Sequence, residues 1–166
     1  MRQIMFAMVF ALAACATVSS NLPTPRYADA ASRGALSAFF AGRPNQAQVD
    51  ATTQIWSDAL GESFACGVPT RKVIDAGLVG ALEIGAMNAA ASGGGQREVR
   101  EGVGRYVALL ASMALAHHPR PSASRCDALA AWAPRTAQAG REAVQRARQN
   151  GLMDNDYGLL MDLLTR

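Results

Sequence analysis

The sequence predicts an all-α protein, built as a single compact bundle of about five or six helices. Alanine and glycine are abundant among the 166 residues, and aromatic residues make up only 6%. Alanine is the strongest helix former, whereas strands favour β-branched and aromatic residues. Apolar residues also recur every three or four positions along several stretches, which is the period of a helix with one buried face.

The first fifteen residues predict export. One basic residue, Arg2, precedes an uncharged run from Ile4 to Ala14, and this order is typical of a cleaved secretion signal. The run is about half as long as a membrane-spanning helix of about 20 residues. The signal peptide is therefore expected to cover residues 1–14 and not to remain as a membrane anchor.

The end of this run, Leu12-Ala13-Ala14-Cys15, resembles the lipobox of bacterial lipoproteins. The resemblance implies that Cys15 is acylated and becomes the new N-terminus, anchored in membrane lipid by two or more acyl chains. An ordinary signal with a chance cysteine is the alternative. Because Ala16 and not aspartate follows Cys15, analogy with enteric lipoproteins favours the outer membrane, with the protein facing the periplasm.

The other two cysteines, Cys66 and Cys126, predict one disulfide. An envelope compartment is oxidising enough to pair them. Their separation is 60 residues, and chain entropy gives such a cross-link a stabilising effect of about 4 kcal/mol. Two buried free thiols are the alternative.

Residues 15–28 predict a lipidated flexible tether, since polar residues and two prolines leave no face to bury. The helical domain is expected over residues 29–166, with its core at about 45–133. Its first helix spans Asp29–Ala41. Asn45 then caps a second helix in a capping-box pattern with Gln48. The apolar stripe of this second helix comprises Val49, Trp56, Leu60 and Phe64.

Pro69 opens a third helix whose apolar arc of about 220° is wider than one neighbour covers. The polar strip outside the arc includes Asp75 and Glu83. Small residues recur every four positions within the arc beside a bulky ridge, so another helix backbone can approach closely. Two interpretations remain: the central helix of the bundle, or a face for a partner. The residues of this strip and ridge are Ile74, Gly77, Leu78, Ala81, Leu82 and Gly85.

A glycine-rich break after Ser92 precedes a fourth helix from Gln96 to about Ala116. His117 and His118 follow it, but neighbouring helix positions point about 100° apart, so they predict no metal site. The apolar stripe of this fourth helix comprises Val99, Val103, Tyr106, Leu110 and Met113.

Ser124 and Asp127 predict the start of a fifth helix, which Pro134 kinks or ends. The last part of the domain, 135–166, then contains two helices. Residues 135–150 predict an exposed Arg-rich helix, either solvated or facing anionic lipid or an acidic partner. The final helix should dock on the bundle through Tyr157, Leu160, Met161 and Leu164.

No pattern for a catalytic residue, a metal site or a cofactor is complete. Neither a phosphate-binding loop nor a nucleophile elbow is present. Lysine and arginine number 16 against 13 acidic residues, so the charge does not predict nucleic-acid binding. Glu62-Ser63-Phe64 resembles the Glu-Ser pair of lytic transglycosylases, but Glu62 falls on a polar face without the sheltered cleft that such an acid needs.

The order of helices and cysteines over about Gln46–Ala133 resembles the helical pilotins of type II secretion systems. Those are small acylated proteins with a four-helix domain and a disulfide, and they bind a C-terminal segment of the secretin. This chain departs from them in lacking an aromatic residue around 87–91 and in continuing after Ala133. The features that match are Cys66 at the end of one helix, Val68-Pro69 opening the next, Tyr106–Leu110 closing a third, and Cys126 with Trp132 on a fourth.

Together these features predict an outer-membrane lipoprotein that acts as a non-enzymatic protein-binding adaptor or assembly factor, with piloting of a secretin as the specific version. An amphipathic partner helix would lie on the strip from Ile74 to Gly85. Two alternatives are a periplasmic carrier of an apolar small molecule, bound beside the glycines, and a peptidoglycan-acting enzyme that uses Glu62.

Overall fold

The computed structural model describes residues 22–34, 44–116 and 119–157. Over those residues the protein is all-α, as predicted, and contains no strand. The described residues contain five helices with assigned bounds: α1 Ala28–Ser32, α2 Gln46–Ala65, α3 Thr70–Ser92, α4 Gln96–Ala116 and α5 Ala123–Gln149.

The central helix is α3, which packs against each of the other four helices. Nearly every residue from Val73 to Ala90 is buried, which explains the wide apolar arc of its sequence. Gly93 ends the helix with a left-handed φ of 70°. Glycine reaches this conformation without the strain that a Cβ would add.

Helix α2 begins as its sequence predicts. The Asn45 side chain accepts a hydrogen bond from the Gln48 backbone N–H at 2.9 Å, and the Gln48 side chain accepts one from the Asn45 backbone N–H at 2.8 Å. Val49, Trp56 and Leu60 are buried. Gly80 of α3 lies under the Trp56 ring, where a Cβ would stand 2.5 Å from a ring carbon. The glycine therefore makes room for the indole.

The predicted disulfide is present. Cys66 and Cys126 join the end of α2 to the first turn of α5, with Cα atoms 5.3 Å apart. Beside it, Arg125 donates to Glu62 at 2.7 Å, and both side chains are mostly buried. Two links of different chemistry therefore hold the same ends of α2 and α5 together.

Helix α5 corrects two predictions. Its N-cap is Ser122, which accepts from the Arg125 backbone N–H, so the helix begins earlier than the Ser124 pattern indicates. It also continues through Pro134 to Gln149 as one helix. The missing N–H of Pro134 leaves the carbonyl of Ala130 without its helical donor. Ala130 is exposed, so water can hydrate that carbonyl.

The Arg-rich half of α5 is also more buried than an exposed helix would be. Gly140, Ala143 and Ala147 are buried, and the side chain of Val79 fills the space at Gly140, where a Cβ would lie 2.3 Å from it. Small residues form this packing face. The sequence prediction of an exposed helix was based on the lack of large aliphatic residues, which such a face does not need.

The segment before α1 is a further correction. Residues 22–28, predicted as part of a flexible tether, lie against the bundle. The indole N–H of Trp132 donates to the Pro23 carbonyl at 2.8 Å, and Pro23 is buried. Residues 1–21 lie outside the described part of the chain, and so do residues 35–43, His117, His118 and residues 158–166. The signal peptide, Cys15 and most of the first and last predicted helices fall there.

Candidate functional site

The strip predicted to bind a partner is buried inside the protein. All six of its residues, from Ile74 to Gly85, are buried. Gly85 lies against Gly102 and Val103 of α4, and a Cβ at Gly85 would stand 2.8 Å from the Val103 backbone nitrogen. At Gly85 the close approach that the small residues indicated is therefore made by the protein's own α4. The strip is covered by the bundle, and Leu78 is the member that also lines a surface groove. The six residues are Ile74, Gly77, Leu78, Ala81, Leu82 and Gly85.

A different feature on the surface of α3 is open. A groove of about 390 Å³ runs between the first half of α3 and the second half of α5. Its lining on α5 extends from Pro134 to Arg148, a length of about 21 Å at 1.5 Å per residue. We call it the α3–α5 groove. Its apolar floor is formed by Leu78, Val79, Ala137 and Val144, and its polar rim by Arg71, Lys72, Asp75, Gln138, Arg141, Gln145 and Arg148.

The rim of the α3–α5 groove has a positive charge. Arg71 pairs with Asp75 at 3.4 Å along α3. Lys72, Arg141 and Arg148 form no ion pair with any described residue. The Nε of Arg148 is buried and has no hydrogen-bond acceptor within the described residues. A buried donor without an acceptor costs about 1–3 kcal/mol. The charges that an anionic group in the groove could neutralise are those of the three rim side chains without an ion pair to a described residue, Lys72, Arg141 and Arg148.

A second hollow, of about 730 Å³, lies between residues 22–27 and α2. Its charged lining consists of Arg26 and Glu83, which have opposite signs. The two charges are opposite, and the Glu83 carboxylate already accepts backbone N–H groups of the chain itself, so this hollow lacks the excess of positive charge that the α3–α5 groove has.

Glu83 fastens the N-terminal segment to the bundle. Its carboxylate accepts three backbone N–H groups, from Arg26 at 2.8 Å, Tyr27 at 2.6 Å and Ala28 at 2.7 Å. The residue is only 2% exposed, whereas its place beside Asp75 predicted a solvated side chain. Burial raises the pKa of this carboxyl above its ordinary 4.5, and the three N–H donors offset part of that rise.

Replacing Glu83 by glutamine should release this segment. Glu83→Gln keeps the shape of the side chain but replaces one acceptor oxygen with an NH₂ group. This group is itself a donor, so it cannot accept a hydrogen bond from the backbone N–H groups. We expect the amides of residues 26–28 to exchange with solvent deuterium at least about tenfold faster, and the free energy of unfolding to fall by about 1 kcal/mol. Hydrogen exchange measured by mass spectrometry checks the first result.

Glu83 also gives the stability a pH dependence. Because its pKa in the folded state is raised, the folded protein binds the proton more tightly than the unfolded chain. The free energy of unfolding should therefore fall as pH rises from about 4.5 through the folded pKa, and Glu83→Gln should remove that slope. Unchanged exchange at residues 26–28 in the variant would show that Glu83 does not fasten the segment.

Glu62, the candidate acid of the enzyme alternative, is bound to Arg125 at 2.7 Å. The guanidinium holds it beside the disulfide, at the contact between α2 and α5. No group of three or more histidine, cysteine or acidic residues that could hold a metal ion occurs in residues 22–34, 44–116 and 119–157.

One helix in the described part of the chain, α3, is long and apolar enough to cross a membrane. However, 89% of its apolar window is buried inside the bundle. Its hydrophobicity is thus used for contacts with the other helices.

Comparison with known proteins gives no family for this chain: no protein-family model, no curated protein and no solved structure matches it.

Proposed function

We propose that this chain is an outer-membrane-anchored periplasmic lipoprotein that acts as a non-enzymatic protein-binding adaptor or assembly factor. The observation that carries this proposal is the α3–α5 groove, an apolar floor bordered by unpaired cations. Grooves of this kind accept an amphipathic helix, whose apolar face covers the floor while its polar face meets the rim.

The proposed compartment has support from two independent features. The Cys66–Cys126 disulfide is typical of proteins in an oxidising compartment. The sequence Leu12-Ala13-Ala14-Cys15 resembles a lipobox, and acylation there would place the protein on a membrane surface. Piloting of a secretin is the specific version of the proposal, since the helix order resembles that of the pilotins.

The position of the N-terminal segment suits an adaptor. Leu22 follows Cys15 by seven positions, so an acylated Cys15 would keep the docked segment within roughly 25 Å of the membrane. This segment contacts α5 at Trp132, and α1 contacts α5 at Arg146. Both residues lie roughly 140–180° around the helix from Arg141 of the groove. The groove therefore opens away from the side of α5 that is nearest the proposed anchor.

Photo-cross-linking in growing cells tests the adaptor function. A photoreactive residue at Gln138, which is exposed on the groove rim, should form an adduct with one envelope protein. The partner should be the same whether it is identified from this position or from Gln145, because both residues border the same groove.

A further inference from the structure

The cations of the α3–α5 groove are arranged along its length. Arg141 and Arg148 are seven residues apart on α5, a distance of about 10.5 Å along the helix axis. Lys72 faces them from α3. None of the three has a carboxylate partner among the described residues. A ligand that neutralises them must carry negative charges at several points along the groove.

The floor between these cations is apolar. Val79 and Leu78 from α3 and Val144 and Ala137 from α5 contribute to it, and each is no more than 9% exposed. The groove is about 21 Å long at 1.5 Å per residue, which corresponds to about 14 residues of a second helix. Because the unpaired cations are spread along this length, the groove favours an extended acidic ligand, such as a short helix with one apolar face, over a ligand with a single charge.

From this arrangement we propose that the α3–α5 groove binds an acidic amphipathic helix of the partner protein. This inference rests on the proposed adaptor function and specifies the chemistry of the partner. Leucine-like side chains of the partner cover the floor, and carboxylates at positions i and i+7 reach Arg141 and Arg148, because both helices share the same rise per residue. A single monoanionic lipid headgroup supplies one charge, whereas the groove is bordered by three cations without an ion pair among the described residues.

Defined peptides test this inference. The first probe is an 18-residue helical peptide with a leucine stripe and glutamates flanking it at i and i+7. The second has glutamine at every glutamate position, and the third keeps the glutamates but has alanine in place of leucine. Binding of each labelled peptide to the purified native protein is measured by fluorescence anisotropy, and binding of the protein to phosphatidylglycerol vesicles is measured in parallel.

The acidic leucine peptide should bind at least about tenfold more tightly than either of the other two. The double variant Arg141→Gln, Arg148→Gln should lose that tenfold advantage. The matched control Arg105→Gln, Arg120→Gln removes the same two charges from exposed positions outside the groove and should change the affinity by less than about twofold. Added salt should weaken binding of the acidic peptide, since exposed charge pairs are screened.

Three results would overturn the inference. Equal binding of the glutamate and glutamine peptides would remove the acidic selectivity while leaving the adaptor function intact. Unchanged binding of the acidic peptide to the double variant would place its site elsewhere. Vesicle binding that depends on Arg141 and Arg148, with no peptide bound, would assign the groove to anionic lipid. Failure of the adaptor function is seen separately, as the absence of any groove adduct in cells.

Discussion

Removing the disulfide should lower the free energy of unfolding by about 4 kcal/mol, the largest single effect expected for this protein. The bond closes a loop whose ends are 60 residues apart in sequence, and a loop of that size restricts the unfolded chain strongly. Cys66→Ser combined with Cys126→Ser tests this, with the free energy of unfolding taken from urea denaturation followed by circular dichroism.

The folded state of that double variant should remain intact. Arg125 and Glu62 still join the same ends of α2 and α5 at 2.7 Å, so the helices keep their positions. The free energy of unfolding falls mainly because the unfolded chain gains conformational freedom. Wild-type protein measured in reductant should match the double variant. A difference below about 1 kcal/mol between oxidised and reduced protein would contradict the assigned role of the bond.

Gly85→Ala should destabilise the protein by about 2 kcal/mol, although the same change in an exposed helix stabilises by about 1 kcal/mol. The added Cβ would lie 2.8 Å from the Val103 backbone nitrogen. Backbone cannot move aside as a flexible side chain does, so α3 and α4 must separate. The midpoint of urea unfolding reports the change.

Ala108→Gly is the matched control, because Ala108 is exposed on α4 and loses only helix propensity, about 1 kcal/mol. If propensity alone governed both positions, the two variants would change stability in opposite directions. A more stable Gly85→Ala protein would show that α3 and α4 do not approach as closely as the structure has them.

The elements with a strong local signal could be predicted from sequence. The Asn45 cap depends on residues three positions apart, and the stripe containing Trp56 and Leu60 repeats at the helix period, so each is visible within one helix. The disulfide followed from the two cysteines left once Cys15 was assigned to lipid. These three features are present, whereas the acylation of Cys15 remains a prediction outside the described residues.

The features that sequence analysis missed depend on distant partners. Glu83 is polar, and a helical projection gives its direction but not the three N–H donors, which lie 55 to 57 residues earlier. Those donors come from a Pro-containing segment that reads as a tether. Because these donors form hydrogen bonds with the carboxylate oxygens, the side chain of Glu83 can be buried.

The predicted binding strip and the candidate groove lie at different places on α3 for a similar reason. The strip ending in Gly85 indicates that a helix backbone approaches closely, but one helix alone does not identify that neighbour. The structure assigns it to α4 through Gly102. The α3–α5 groove could not be predicted from the sequence, because Pro134 predicted a break in α5. That break assigned Arg141 and Arg148 to a separate exposed helix, although they lie on the same helix that packs against α3.

The adaptor function is tested most directly by cross-linking in cells from Gln138, compared with Gln54, which is also an exposed glutamine and lies on α2, outside the groove. The expected result is one adduct with an envelope protein from Gln138, none from Gln54, and loss of both the adduct and the membrane association in Cys15→Ser. A Gln138 probe that yields no protein adduct, or yields the same adducts as Gln54, would contradict partner binding at the groove.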